Sequence, residues 1–400
     1  MEKANHQGKR RNPRLRLVHI TWDGTVGGAQ NFVYSLLKEL SKYEELQIEV
    51  CFAKQEGPVA ERIRRLGIPT HCLNMRSGFD LLNAVRLVKL VRRRRYDLVH
   101  SHSPQPLVRL MMALSKRRGS FLTEHGSILD DVRGRHKPEV YYHRFLAKFI
   151  HYYIAVSASV KNGLMNRHGV PPAKIEIVPT ALDLSHFRPG NGDVIRLRKE
   201  FGLPAEGPII GAIGRLSPEK GIDHLILATK HVVERFPDCI TLIVGDGELR
   251  GNLQNQANRL GISKSVFFLG EQTAIAEIIS MLDVLVMPSV HEGLPLVALE
   301  SMAMGKPVVG YNVRGISDLI THGRNGLLVE KRDPVLLADQ MGILLSNKPL
   351  RLRLGESGRE QVARDFNVAT IARRYRDIYS GCSIRSTRRI ADALQEKAQS

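Results

Sequence analysis

The chain is poor in the features that would hold a protein together or place it without a packed core. It has four cysteines in 400 residues, Cys51, Cys72, Cys239 and Cys382, widely scattered and with no C-x-x-C pair. A disulfide framework and a zinc motif are both excluded as organising principles. No stretch approaches the roughly twenty apolar residues of a membrane span. The start, MEKANHQGKRRNPRLR, is basic but lacks the apolar segment of a secretory signal, so the chain is expected to remain in the cytoplasm. Acidic residues are scarce too: 40 Asp and Glu face 59 Lys and Arg, a formal charge of +19.

What is present is a globular composition, 43% hydrophobic and 25% charged, in a chain too long for one ordinary core. Two domains are expected. The excess charge gathers in Lys9–Arg11, Arg92–Arg95, Lys116–Arg118 and Arg385–Arg389, which suits an acidic partner. Of the two acidic partners, an anionic membrane surface is the expectation. Nucleic acid is not expected, because no recognition motif and no interleaving of basic with aromatic residues is found.

Strands and helices alternate along the sequence. Leu15–Ile20 reads as a strand, GTVGGAQ as a glycine-bearing turn and NFVYSLLKEL as a helix. The turn lacks the G-x-G-x-x-G spacing of dinucleotide binders. Further on, Asp80–Arg94 reads as a basic amphipathic helix with Leu82, Val85, Val88 and Leu90 as its apolar stripe. His100 and His102 alternate on the next strand, but no third ligand stands at a suitable spacing, so a metal is set aside. His125 follows another apolar strand and precedes Gly126, at the carboxyl-end loop where parallel sheets handle ligands. Pro189–Gly192 reads as a hinge, and the alternation restarts at PIIGAIGRL. A helix rich in arginine and aromatics is expected over Arg359–Tyr379.

Two motifs carry chemistry. In GRLSPEKG, Arg215 and Lys220 flank Pro218 just before a helix, a phosphate site by both charge and dipole. In VLVMPSVHEGLPLVALESMAMGKPVVGY the order is strand, loop, helix, strand. Glu292 stands in the loop and Glu300 in the helix, with seven residues between them. Carboxylates beside a phosphate repel it, so these two are read as acceptors for the hydroxyls of a sugar nucleotide. Either glutamate alone would be read as a solvated or capping side chain.

EGLPLVALE resembles the E-x7-E signature of the retaining group 1 glycosyltransferases (family four), built on two Rossmann-like domains facing across a cleft, the GT-B fold. GRLSPEKG is similar to the phosphate-binding motif of that family, and the likeness runs from about Arg16 to about Tyr379. It implies an α/β fold with an acceptor-side domain at 14–187, a nucleotide-sugar domain at 188–366 and a crossing helix at 367–383 that returns to the first domain. The basic tails, 1–13 and 384–400, are expected to lack fixed structure.

The resemblance also implies roles. Arg215 and Lys220 would neutralise the departing diphosphate, Glu292 would hold the sugar and face the anomeric carbon, and His125 would contact the sugar from the other domain. Gly27 and Gly28 would approach the phosphates, Gly270 the nucleobase, and Gly293, Leu294 and Glu300 the rest of the donor, Glu300 through the ribose hydroxyls. The family usually has Glu where this chain has Gln30, and Asn-Gly where it has Thr180 and Ala181.

The expected enzyme is a metal-independent hexosyltransferase without a cofactor. Its donor is a nucleotide-diphosphate sugar of the UDP series first and the GDP series second. The acceptor is a glycan or lipid-linked glycan of cell-surface polysaccharide or lipopolysaccharide synthesis, handled in the cytoplasm or at the inner face of the plasma membrane. A sugar-nucleotide epimerase on the same fold, a basic nucleic-acid-binding module and an inactive scaffold are the alternatives.

Overall fold

A computed structural model of the chain describes residues 15–25, 27–78, 80–103, 105–115, 119–126, 137–190, 192–330 and 332–382, with no side chains for 137–140. The runs Lys9–Arg11, Lys116–Arg118 and Arg385–Arg389, both tails and Asn191 of the expected hinge lie outside these residues.

Two parallel sheets organise the described residues. The first has strands β1 (Leu15–Asp23), β2 (Leu46–Gln55), β3 (Thr70–Cys72), β4 (Leu98–Ser101), β5 (Gly119–Glu124), β6 (Tyr152–Ala155) and β7 (Ile175–Ile177), in the order β3-β2-β1-β4-β5-β6-β7. The second has β8 (Ile209–Ile213), β9 (Ile240–Val244), β10 (Val266–Gly270), β11 (Val284–Met287), β12 (Val308–Tyr311) and β13 (Gly326–Val329), in the order β10-β9-β8-β11-β12-β13. Apart from β1 and β2 the strands have three to six residues, and most are buried, as in a doubly wound sheet whose helices cover both sides. The helix Ile222–Arg235 shows how: Ile222, Leu225, Ile226, Thr229 and Val232 form its buried stripe. Each such aliphatic side chain contributes about 1.5–3 kcal/mol by leaving water.

Contacts divide the chain into two units. One holds the described residues up to Thr123, then Phe145–Tyr153 and the described residues from Ala372; the other holds Glu124–Arg144 and Ile154–Ile371.

Two expectations about helices need correction. The helix Leu81–Arg94, capped by the Asp80 side chain on the Asn83 N–H, buries Ala84, Leu87 and Val91; of the expected stripe, Val88 and Leu90 pack partly buried against the same core, whereas Leu82 and Val85 do not. Leu82 is 88% exposed and Val85 39%. The small and aliphatic residues at i, i+3 and i+7 win the sheet because they let the helix lie close while the arginines point away. The expected helix over Arg359–Tyr379 is two helices, Lys348–Asp365 and a last one whose described part is 368–382. Leu182 separates them: its N–H donates to the Phe366 carbonyl at 2.9 Å and its carbonyl accepts from the Val368 N–H at 3.1 Å. Those backbone groups then have no intrahelical partner to seek, and the Asn367 side chain accepts from the Ala369 N–H to start the next helix.

Candidate active site

In the second sheet the strand order reverses between β8 and β11, and ligands of such sheets bind outside the strand ends at that point. Two loops meet there. After β8, Gly214 leads to a single 3₁₀ turn, Pro218–Lys220, and to Gly221 with φ +62°. A side chain on Gly221 would also strike the Pro288 carbonyl of the loop after β11. Glycine is therefore required twice over, by its backbone and by its neighbour. The Val290 N–H donates to the Glu219 carbonyl at 2.8 Å and stitches the two loops together.

This contact brings Lys220 to Glu292. The Lys220 ammonium donates to Glu292 Oε1 at 2.7 Å, and the Ser289 hydroxyl donates to the same oxygen at 2.8 Å. No described residue donates to the other oxygen of Glu292. The pair lines a small pocket of about 20 Å³, open to solvent, with Gly214, Ser289, Met287 and Val297 around it. Ion pairs on open surfaces gain little, but this one is held in a partly desolvated wall with side-chain exposures of 27% and 11%. Together with the amino end of the helix Ile222–Arg235, it sets a movable cation beside backbone N–H groups.

The other expected residues fall as follows. Gly293 follows Glu292 and packs so tightly on the His125–Gly126 backbone that a Cβ on it would run into the His125 carbonyl. His125 thus stands beside the E-x7-E loop within the second unit. Burial pushes its imidazole down to about 4, against the opposing pull of the Glu124 charge, so it is neutral at physiological pH. Leu294 is buried. Glu300 lies in the helix Leu296–Ala303, and burial raises its carboxyl to about 7.

Gly270 ends β10 with φ +69°, and the Gly245 N–H donates to its carbonyl at 2.8 Å. Arg215 is not gathered in: it is 74% exposed and 3.9 Å from Glu219, its only charged partner among the described residues. Gly27 and Gly28 belong to the first unit, at the start of the helix Gly28–Leu40. There Gln30 donates to Asp23 Oδ1 at 3.0 Å, and Thr25 donates to the same oxygen at 2.7 Å. A glutamate at position 30 would face that carboxylate as a like charge, which accounts physically for the amide.

Sequence spacing missed two things. One is Ser289, whose only signal is a hydroxyl three residues before Glu292. The other is the third histidine beside His100 and His102. His19 of β1 pairs in register with His100 of β4, so both project from the same face of neighbouring strands. The three side chains are buried, and one nitrogen from each lies within 4.8 Å of the others. Spacing along the sequence offers no suitable third ligand, but strand pairing supplies one, and the setting aside of a third histidine is corrected.

The arrangement is nevertheless that of a hydrogen-bonded core. His100 Nδ1 is 2.5 Å from the Tyr379 hydroxyl and its Nε2 is 2.8 Å from the Thr123 hydroxyl, while His19 Nδ1 is 3.0 Å from His102 Nε2. The rings of His100 and His102 stack at 4.3 Å with 28° between their planes.

Comparison with known proteins gives concordant findings. Residues 26–186 match the family model described as Glycosyltransferase Family 4, and residues 193–361 match that described as Glycosyl transferases group 1. The chain is similar to the UDP-Gal:alpha-D-GlcNAc-diphosphoundecaprenol alpha-1,3-galactosyltransferase of Escherichia coli, 27% identical over 93% of this chain and 98% of that protein. It is 29% identical to the N-acetyl-alpha-D-glucosaminyl L-malate synthase of Bacillus anthracis over 75% of this chain and 79% of that one. Among solved structures, Anabaena HepE in complex with UDP shares the fold with a TM-score of 0.79 at 21% identity, over 92% of this chain and all of that one.

Proposed function

The chain belongs to the group 1 glycosyltransferases of the GT-B fold, and on that premise we propose that it is a retaining, metal-independent enzyme moving a hexose from a UDP-sugar to a lipid-linked glycan. The GDP series is the second choice of donor. Residues 188–366 would bind the donor and 14–187 the acceptor in cell-surface polysaccharide or lipopolysaccharide synthesis. The observation that carries this reading is the Lys220–Glu292 pair at the reversal point of the second sheet. A diphosphate arriving there competes for the ammonium, and a sugar attached to it presents hydroxyls to the carboxylate.

The roles follow from charge. Lys220, joined by Arg215 once its exposed side chain swings in, would stabilise negative charge growing on the leaving diphosphate, which is electrostatic catalysis by a preset cation. Glu300 would accept from the ribose hydroxyls, Gly270 would offer backbone to the base, and Glu292 would hold the sugar. His125, neutral, would donate or accept one hydrogen bond to the same sugar without adding charge. Gly27 and Gly28 would let the backbone of the first loop approach the substrates.

A lipid-linked acceptor is supported by the activity of the Escherichia coli relative and by the helix Leu81–Arg94, which exposes Leu81, Leu82 and Val85 beside Arg86, Lys89 and Arg92–Arg94. Apolar side chains rimmed by cations suit an anionic bilayer surface. Among the described residues no helix is long and apolar enough to cross a membrane.

The test is a thermal-shift screen against UDP-, GDP-, ADP- and TDP-sugars without added metal. Stabilisation by one nucleotide series, lost in Glu300→Ala, is expected. No shift with any of them would overturn the donor site. Release of the free nucleotide diphosphate only when an acceptor is present separates a transferase from an epimerase. Failure to pellet with anionic vesicles at low salt removes the membrane surface from the reading.

A further inference from the structure

Ser289 is assigned no part by the motifs, yet its hydroxyl is one of the two donors to Glu292 Oε1. The other donor, Lys220, is different in kind. Its ammonium sits on a flexible four-carbon stem, whereas Ser289 is 2% exposed in a loop whose next residue, Val290, is tied to the Glu219 carbonyl. Both donors share one oxygen. A nucleoside diphosphate brings two or more negative charges to the same wall and draws the movable cation toward itself. The fixed hydroxyl cannot follow.

We propose that Ser289 is a positioning residue that keeps Glu292 aimed at the donor sugar after the diphosphate has taken Lys220. This inference rests on the donor-site reading above and adds a division of labour to it. Lys220 serves the diphosphate and Ser289 serves the sugar through Glu292. Without Ser289, Glu292 would lose its second donor at the moment it loses its first, and its carboxylate would be free to follow the ammonium or turn to solvent. A serine that only braced the loop would affect every ligand alike.

The two roles separate in a pair of affinities. The probes are UDP with UDP-glucose and UDP-galactose, and GDP with GDP-mannose, titrated into the full chain by calorimetry. For the nucleotide series that binds, Ser289→Ala is expected to leave the affinity for the bare diphosphate within about twofold and to weaken the nucleotide sugar by about tenfold, the scale of one lost hydrogen bond to a charged group. The kcat for hydrolysis or transfer is expected to fall, and Ser289→Thr, which keeps a hydroxyl, to restore the ratio.

Equal weakening of bare diphosphate and nucleotide sugar, or an unchanged ratio, overturns the inference while leaving the donor site intact. Wild-type protein that binds none of the five probes overturns the donor-site reading and this inference with it. Circular dichroism and a thermal midpoint for each variant report whether the loop has unfolded. If Ser289→Ala is unfolded, the ratio in Ser289→Thr and Ser289→Cys decides: the threonine matching wild type with the cysteine weakened for the sugar alone supports the inference, and any other pattern overturns it.

Discussion

Two polar clusters beside parallel strands, one in each unit, are built on opposite principles. In the first unit His19, His100 and His102 join Thr123, Tyr375 and Tyr379 in a hydrogen-bonded cluster sealed from solvent. In the second unit Lys220, Ser289 and Glu292 form a charged cluster at a pocket wall, with one carboxylate oxygen that no described residue's donor meets. Burial explains the difference. A charge deep in the core must be neutralised, and His19 accordingly has its imidazole pushed down to about 3. A charge at a cavity wall can keep its proton state and exchange its partner. The first arrangement fastens the last helix to its sheet; the second is fit to receive a ligand.

Breaking the charged cluster should have the largest effect. Lys220→Ala is expected to lower kcat/KM on the order of a hundredfold, as for a lost oxyanion donor, measured by nucleotide release in the presence of acceptor. Unchanged turnover would mean that the charge does not act on the diphosphate. Gly293→Ala sets a methyl group against the His125 carbonyl, so the loop must move. A loss of activity of about tenfold or more, with a smaller change in thermal midpoint, is expected from misplacing Glu292.

Glu300 sharpens the comparison through pH. Its carboxyl, raised to about 7 by burial, is half protonated near neutrality and a better acceptor once ionised. Affinity for a nucleotide sugar, whose diphosphate ester does not titrate in this range, should strengthen between pH 6 and pH 8. The slope should vanish in Glu300→Gln, and Glu300→Ala should weaken binding by about tenfold. A flat profile in the wild-type protein would show that Glu300 does not meet the ribose.

The neutral cluster gives the smallest effect and the opposite direction of test. Because the folded pKa of His19 lies below its ordinary value of about 6.5, the unfolded chain takes up a proton first as the pH falls. Stability contributed by the neutral imidazole is complete above about 6.5 and is lost as the pH falls from there toward 3. The loss has an upper limit of about 1.4 kcal/mol per pH unit. A thermal midpoint measured from pH 7 to pH 5 should decline, less so in His19→Leu. Hydrogen exchange in 368–382 should quicken in parallel if Tyr375 and Tyr379 depend on the cluster.

Much of this was legible in residue order and some was not. Strand and helix periods, the glycine before each turn and the two motifs suffice for an α/β chain of the group 1 family. They suffice for nominating Lys220, Glu292 and Glu300 as well. The apolar stripe of Leu81–Arg94 is legible only in part, through Val88 and Leu90, because several faces of that helix carry aliphatic residues and the packing beneath selects Ala84, Leu87 and Val91 as its centre. The break at Asn367 was invisible because Leu182, far away in sequence, takes the backbone hydrogen bonds there.

The sequence by itself determined which segments become strands, which become helices and which loops carry charge, because those are properties of neighbours along the chain. Only the tertiary structure decided that Lys220 and Glu292, 72 residues apart, share an oxygen with Ser289, and that His19 lies beside His100. Both pairings depend on strand order, β8 beside β11 and β1 beside β4. That order is set by how whole helices and strands pack together, which no local period encodes.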